Sequence, residues 1–334
     1  MVGYCSSVEF AKHLTGPGHP ERPDRIRAID RAVRLAGLLD GPGEFPDFEI
    51  DLRPLPAAKG KMVELSPTAV DEPTLRWIHS QRYIEHVWHI CAGGGGMLDE
   101  GDTVVGHESF DIAKLSTGAV LKVCDAVIEG TIKRGFAAVR PPGHHALPDH
   151  AMGFCIFANV AIAARYLQRK HGIGKVAIVD FDVHHGNGTQ ACLDSDPTVL
   201  FVSLHQDPRT LWPGSGYAEE IGTGAGRGFT LNIPLPPGGD NATYLQAIRE
   251  TVIPRIEDFQ PEILLISAGF DAHRDDPLAQ MCVSEEGFGE MTRQLCAVAD
   301  RCCGGRVVSA LEGGYNLRAL GRSVVQHLLA MGES

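Results

Sequence analysis

Five apolar runs, each breaking off into reactive side chains, constrain the fold of this chain more than any other feature. KVAIV (175–179) leads into DFDVHHGNG (180–188), and EILLISAGF (262–270) into Asp271 and His273. Residues 136–140 lead into PPGHH (141–145), VVSAL (307–311) into EGGY (312–315), and TVLFVSL (198–204) into His205. Unbroken apolar runs of this length read as strands buried on both faces, as in parallel sheets. Ligands of open α/β sheets gather at the strands' carboxyl ends, so the five ends predict one composite site. Between the runs, 113–133, 159–169, 241–256, 285–300 and 317–329 carry apolar residues at i, i+3, i+4 spacing, which predicts helices. The alternation predicts one α/β domain over 1–334: an open, mostly parallel sheet with helices on both faces and the site at its C-terminal edge. GPG (41–43), LPPGG (235–239) and GGGG (93–96) read as loops or turns, the last without a lysine-bearing phosphate-loop pattern.

The densest chemistry lies in VDFDVHHGNGTQ (179–190). Alternate side chains of an extended segment share a face, so Asp182 and His184 point the same way. A carboxylate with an imidazole suits zinc or a similar divalent ion, and a catalytic site of that kind needs a third protein ligand and an open position. The third ligand must come from another run. Singly, each segment has a plainer reading: His144-His145 as a turn cap, Asp271 as the N-cap of a following helix, 312–315 as a tight turn with glycines at positive φ. Their shared placement at strand ends favours a metal hydrolase site over a series of independent accidents.

The formal charge of −12 argues against a nucleic-acid surface; it suits basic partners through long-range attraction, and serves equally well for solubility alone. No apolar stretch approaches membrane-spanning length, and the N-terminus lacks a signal peptide's charged region and apolar core. Nine cysteines without a CxxC pattern read as reduced thiols, which predicts a cytoplasmic protein. Cys155 and the pair Cys302-Cys303 receive no chemistry.

RPPGHHA (140–146), GFC (153–155), DFDVHHGNG (180–188), SAGFDAH (267–273) and EGGY (312–315) resemble the signature blocks of zinc-dependent histone deacetylases. The resemblance runs in order from GHPERP (18–23) to the C-terminus. Asn187, where class I members carry Asp, makes the chain similar to class II enzymes and bacterial histone deacetylase-like amidohydrolases. It implies the arginase/deacetylase fold, with Asp182, His184 and Asp271 holding one zinc. His144 and His145, facing Asp180 and Asn187, would be the tandem acid–base histidines, and Tyr315 the carbonyl-polarising phenol. Asp180, Ser203 and Leu204, with main-chain groups of Asp182 and His184, match a structural potassium site. Leu193, Asp196, Val199 and Phe229 match a second one. Gly153, Phe154, Trp212 and Leu278 correspond to the wall of an acyl-lysine tunnel, and Asp102 to an aspartate at its rim.

The implied reaction is hydrolysis of acetyl or related acyl groups on lysine side chains of proteins or peptides, by attack of a metal-bound water. A carboxylate beside His144 stabilises its charged form, whereas the amide of Asn187 does not, which leaves His145 as the general base. Acylated polyamines or other small acylated amines are the alternative substrates; Asp275 and Asp276 could supply a cation-selecting charge at the tunnel mouth, but Leu278 at the matched lining position speaks for an apolar wall. A dimanganese arginase-like centre would need ligands that this chain lacks. A catalytically dead reader of acetylated partners would lack a ligand or the tyrosine, and all are present. Oligomeric state stays open.

Overall fold

The computed structural model describes every residue except Pro46, Lys59 and Ser334. Strands follow in chain order as β1 (Val2–Cys5), β2 (Val63–Leu65), β3 (Gly95–Met97), β4 (Val104–Gly106), β5 (Arg134–Ala137), β6 (Val176–Asp180), β7 (Val199–Gln206), β8 (Thr230–Leu235), β9 (Ile263–Ala268) and β10 (Val307–Leu311). Eight of them form one sheet in the order β2-β1-β5-β10-β9-β6-β7-β8, and every ladder in it is parallel. β3 and β4 pair separately as an antiparallel ribbon. Four of the apolar runs become strands nearly as read, the 136–140 run contributes only Phe136 and Ala137 to β5, which starts earlier at Arg134, and each residue of β6, β7, β9 and β10 is buried. Complete burial of Val176, Ile178 and Val179 contributes about 1.5–3 kcal/mol apiece relative to exposure.

Strand order makes the site. β9 and β10 come last in the chain yet lie between β5 and β6. The loops leaving β5, β10, β9 and β6 are therefore neighbours at one edge, although they start at residues 138, 312, 269 and 181. Helices Ser109–Ile128 and Asn159–His171 pack on each other beside the sheet. Asp24–Leu35, Glu285–Cys302 and Leu317–Gly332 form a second packed group. Asn316 caps the last of these, accepting from the Ala319 N–H, so the helix starts immediately after Tyr315.

Three predicted segments differ in detail. The 113–133 helix is Ser109–Ile128, because Gly130 takes φ 75° and Lys133 already donates its N–H to the Met1 carbonyl on the way into β5. The 241–256 helix is Asn241–Ala247 followed by a wide π turn over Ile248–Val252 and then Ile253–Phe259. Pro254 has no N–H to give, which disturbs the regular ladder there. Gly95 and Gly96 of the GGGG segment belong to β3, while Gly93 ends the preceding helix. Among the described residues no helix is long and apolar enough to cross a membrane, and all nine cysteines are free thiols.

Candidate active site

The end of β6 and the end of β9 bring two carboxylates and an imidazole to one point. Ligand atoms of Asp182, His184 and Asp271 lie within 4.8 Å of one another, and all three residues are buried. His184 Nδ1 stands 3.2 Å from Asp182 Oδ1 and 3.3 Å from Asp271 Oδ2. Main-chain donors fix the carboxylates: Gly313 N–H to Asp182 Oδ2 at 2.8 Å, His184 N–H to Asp182 Oδ1 at 2.9 Å, and Val183 N–H to Asp271 Oδ1 at 2.9 Å. Asp271 Oδ2 makes no well-formed hydrogen bond. Asp271 does not cap a helix; the next helix is capped by Ser284. Burial opposes charge on His184, but the two carboxylates outweigh it and push the imidazole up to about 10. The cluster thus demands positive charge, and its two oxygens and one nitrogen suit a divalent ion of zinc's type.

Beside it stand the two histidines at the end of β5. His144 Nδ1 is 3.0 Å from Asp180 Oδ2, and His145 Nδ1 is 2.6 Å from Asn187 Oδ1. Their rings lie 3.9 Å apart. Burial disfavours charge on His144, yet Asp182 and Asp180 overcome it and raise its pKa well above the ordinary value. Burial lowers His145 well below it, and the charges of His144 and His184 push the same way. The pair divides into one charged and one neutral ring. Asn187 spends its Nδ2 on Met152 Sδ, so its oxygen faces His145 and the Nδ1 of that ring carries the proton. His145 Nε2 is left with a free lone pair.

Aromatic groups surround this point. Phe154 packs edge-on against Tyr315 at 5.8 Å and against His19 at 4.8 Å. Trp212 stands edge-on to His145 at 4.7 Å. Gly153, at φ 55°, leaves space for it: a Cβ there would fall 2.5 Å from Trp212 Cη2. Leu278 donates its N–H to Asp276 Oδ1, and Asp276 Oδ2 accepts the Tyr315 N–H, so one carboxylate ties both loops together. Asp102 is exposed, and its carbonyl accepts from His19 beside Phe154.

Asp180 pairs with Ser203 across β6 and β7, and Asp180 Oδ1 accepts the Asp182 N–H. Leu204 follows in β7 beside Ile233 of β8. In the second predicted group, the carbonyls of Leu193, Asp196 and Phe229 accept N–H groups of Asp196, Val199 and Phe201. The Asp196 carboxylate is taken by Arg165 and Thr198, which confines any ion-binding role there to the main chain.

Several residues given no role from the sequence prove structural to the site. Glu312 Oε2 accepts the N–H groups of Gly143 and His144, and burial raises its carboxyl to about 7. Arg25 donates to the carbonyls of Gly314 and Glu312 and lies 5.0 Å over the Tyr315 ring. Glu21 joins Arg140 and Arg25 in a fully buried ion cluster. Glu21, Arg140 and Glu312 belong to the motifs at 18–23, 140–146 and 312–315, without a chemical pattern of their own, and Arg25 lies just outside the first of these. His185 and His205 form a further network. Burial pushes both rings down to about 4.

The parallel sheet carries this buried constellation at its carboxyl edge. The Histone deacetylase domain matches residues 19–331, and the chain belongs to that family. It is 43% identical over 299 residues to the histone deacetylase-like amidohydrolase of Pseudomonas aeruginosa, covering 90% of this chain and 73% of that one. Histone deacetylase 14, chloroplastic, of Arabidopsis thaliana is 43% identical over 337 residues, covering 97% and 75%. The crystal structure of the HDA15 HD domain superposes with a TM-score of 0.88 at 34% identity, covering 99% of this chain and 89% of that one.

Proposed function

We propose that the protein removes acetyl or related acyl groups from lysine side chains of proteins or peptides, with zinc held by Asp182, His184 and Asp271. The observation that carries this reading is the buried two-carboxylate, one-imidazole cluster beside a pair of histidines in opposite charge states. Zinc bound there supplies Lewis acidity, polarising the acyl carbonyl and lowering the pKa of water toward about 7.

The chain's own groups carry the proton traffic. His145 Nε2 accepts the proton of the attacking water as its oxygen bonds to the acyl carbon. The Tyr315 hydroxyl donates to the carbonyl oxygen as it becomes an oxyanion. Burial keeps that phenol protonated, despite the opposing pull of Arg25. His144, charged through Asp180 and Asp182, adds a fixed positive charge. When the C–N bond breaks, His145 returns the proton to the leaving amine, giving a carboxylic acid and a free amine. Phe154, Trp212, Gly153 and Leu278 would line the passage for the apolar lysine stem, worth about 0.8 kcal/mol per buried methylene, with Asp102 at its rim. Asp180 and Ser203, with carbonyls of Asp182, His184 and Leu204, are the proposed ligands of a structural potassium ion. A second would use carbonyls of Leu193, Asp196, Val199 and Phe229.

Acetyl-lysine peptide and acetylspermidine, assayed side by side before and after exhaustive chelation, test the reading. Peptide turnover lost on chelation and restored by stoichiometric zinc is the expected result. Undiminished turnover without metal would remove the mechanism; preference for acetylspermidine would move the substrate to polyamines.

A further inference from the structure

His185 follows His184 in sequence but serves a different neighbourhood. It is buried, with Nε2 2.8 Å from Gln190 Oε1 and Nδ1 2.9 Å from Ser215 Oγ. The direction of the first bond follows from its far end. Gln190 donates its amide N–H to Glu220 Oε2, which only accepts, so Gln190 Oε1 is the acceptor for His185 and for Asn232 Nδ2. His205, also buried, donates from Nε2 to the Gly216 carbonyl at 2.8 Å. Glu220 Oε1 completes the bracket by accepting the N–H groups of Gly216 and Tyr217 at 2.9 and 3.0 Å. Gly216 fits there at φ 91° because it lacks a side chain: a Cβ would lie 2.6 Å from both His185 Cγ and His205 Nε2.

Three residues upstream of Ser215, the same loop carries Trp212. The residue is 45% exposed, yet its indole stands against His145 and Gly153 at the heart of the site. A half-exposed residue on a loop keeps one place only if the loop itself is fixed, since ordering each residue costs about 1–2 kcal/mol of backbone entropy. Fixation at residues 215–217 comes from the two imidazoles and Glu220. We propose that His185 and His205 are positioning residues for Trp212, holding the indole as the wall that grips the apolar stem of an acylated lysine and so favouring long-stemmed amides. This inference rests on the lysine-deacylase reading above.

Ser215→Ala removes the hydroxyl that meets His185 without altering a catalytic group, and Ser215→Thr restores it. Trp77→Phe/Trp88→Phe leaves Trp212 as the one indole among the three of the chain, so its emission reports its placement. With Ser215→Ala, a long-chain alkyl hydroxamate should bind about tenfold more weakly and KM for acetyl-lysine peptide rise by a similar factor, the scale of one lost hydrogen bond. Acetohydroxamate affinity, kcat and zinc content should stay within about twofold, because no metal or proton-transfer group is touched. Trp212 emission should shift to the red, and Ser215→Thr should recover the parent values. An active parent in which Ser215→Ala leaves the long-to-short hydroxamate ratio and the emission unmoved, or weakens both hydroxamates equally, overturns this inference and spares the deacylase reading. A parent inert toward acetyl-lysine and both hydroxamates overturns that reading, and the inference with it.

Discussion

Asn187→Asp puts a carboxylate where a neutral amide now contacts the candidate general base. The site holds its own control: His144, with Asp180 at 3.0 Å, is held charged, while His145, with Asn187 at 2.6 Å, is held neutral. Opposite unit charges about 4 Å apart attract by about 4 kcal/mol at an effective dielectric constant near 20. That corresponds to about three pKa units. Part of the gain is offset by burying a new charge, leaving an upward shift of about one to two units for His145. The base works only when neutral, so raising its pKa removes activity over a higher pH range. The acid limb of kcat/KM should therefore move up by about one to two units, with activity recovered above it. Measuring kcat/KM against pH for both proteins, with zinc content matched, decides the matter. An unmoved acid limb would show that His145 is not the base.

Tyr315→Phe should retain zinc by elemental analysis and lower kcat by about 10²–10³, the usual loss for one oxyanion donor; near-parent turnover would exclude the phenol. Burial opposes ionisation of Glu21, but Arg140, His13 and Arg25 outweigh it and hold the carboxyl down at about 2. A depressed carboxyl stabilises the fold fully above its ordinary 4.5 and loses that contribution as pH falls toward 2, a span of about 3 kcal/mol. Glu21→Gln should cost about 3–5 kcal/mol near neutrality by stranding Arg140, and its melting temperature should fall less steeply over that acid range than the parent's. Gly153→Ala should destabilise by about 1–3 kcal/mol in thermal melts and raise KM, because the methyl group meets Trp212 and the backbone there is left-handed.

The strands of the site were legible because burial on both faces leaves an unbroken apolar run, and the polar residues that follow mark the carboxyl end. Asp182, His184, His144 and His145 could be singled out on that ground. Strand order could not, since nothing local to ILLISA or VVSAL says that these segments enter between β5 and β6. Glu312 and Asp276 escaped for a related reason: each accepts N–H groups belonging to a distant loop, a job written in tertiary proximity and not in residue type. The π turn at Ile248–Val252 was hidden because its apolar spacing still fits a regular helix; Pro254 was the available clue.

Because β9 and β10 are inserted at the middle of the sheet, the two halves of the molecule are joined by its final segments. During synthesis from the N-terminus, β5 and β6 are made well before anything exists to lie between them. Asp271 and Tyr315 ride on those late arrivals. A ribosome-stalled or C-terminally truncated product ending before Ile263 would own both tandem histidines but neither Asp271 nor Tyr315, so the candidate site is complete only once the last strands close the gap.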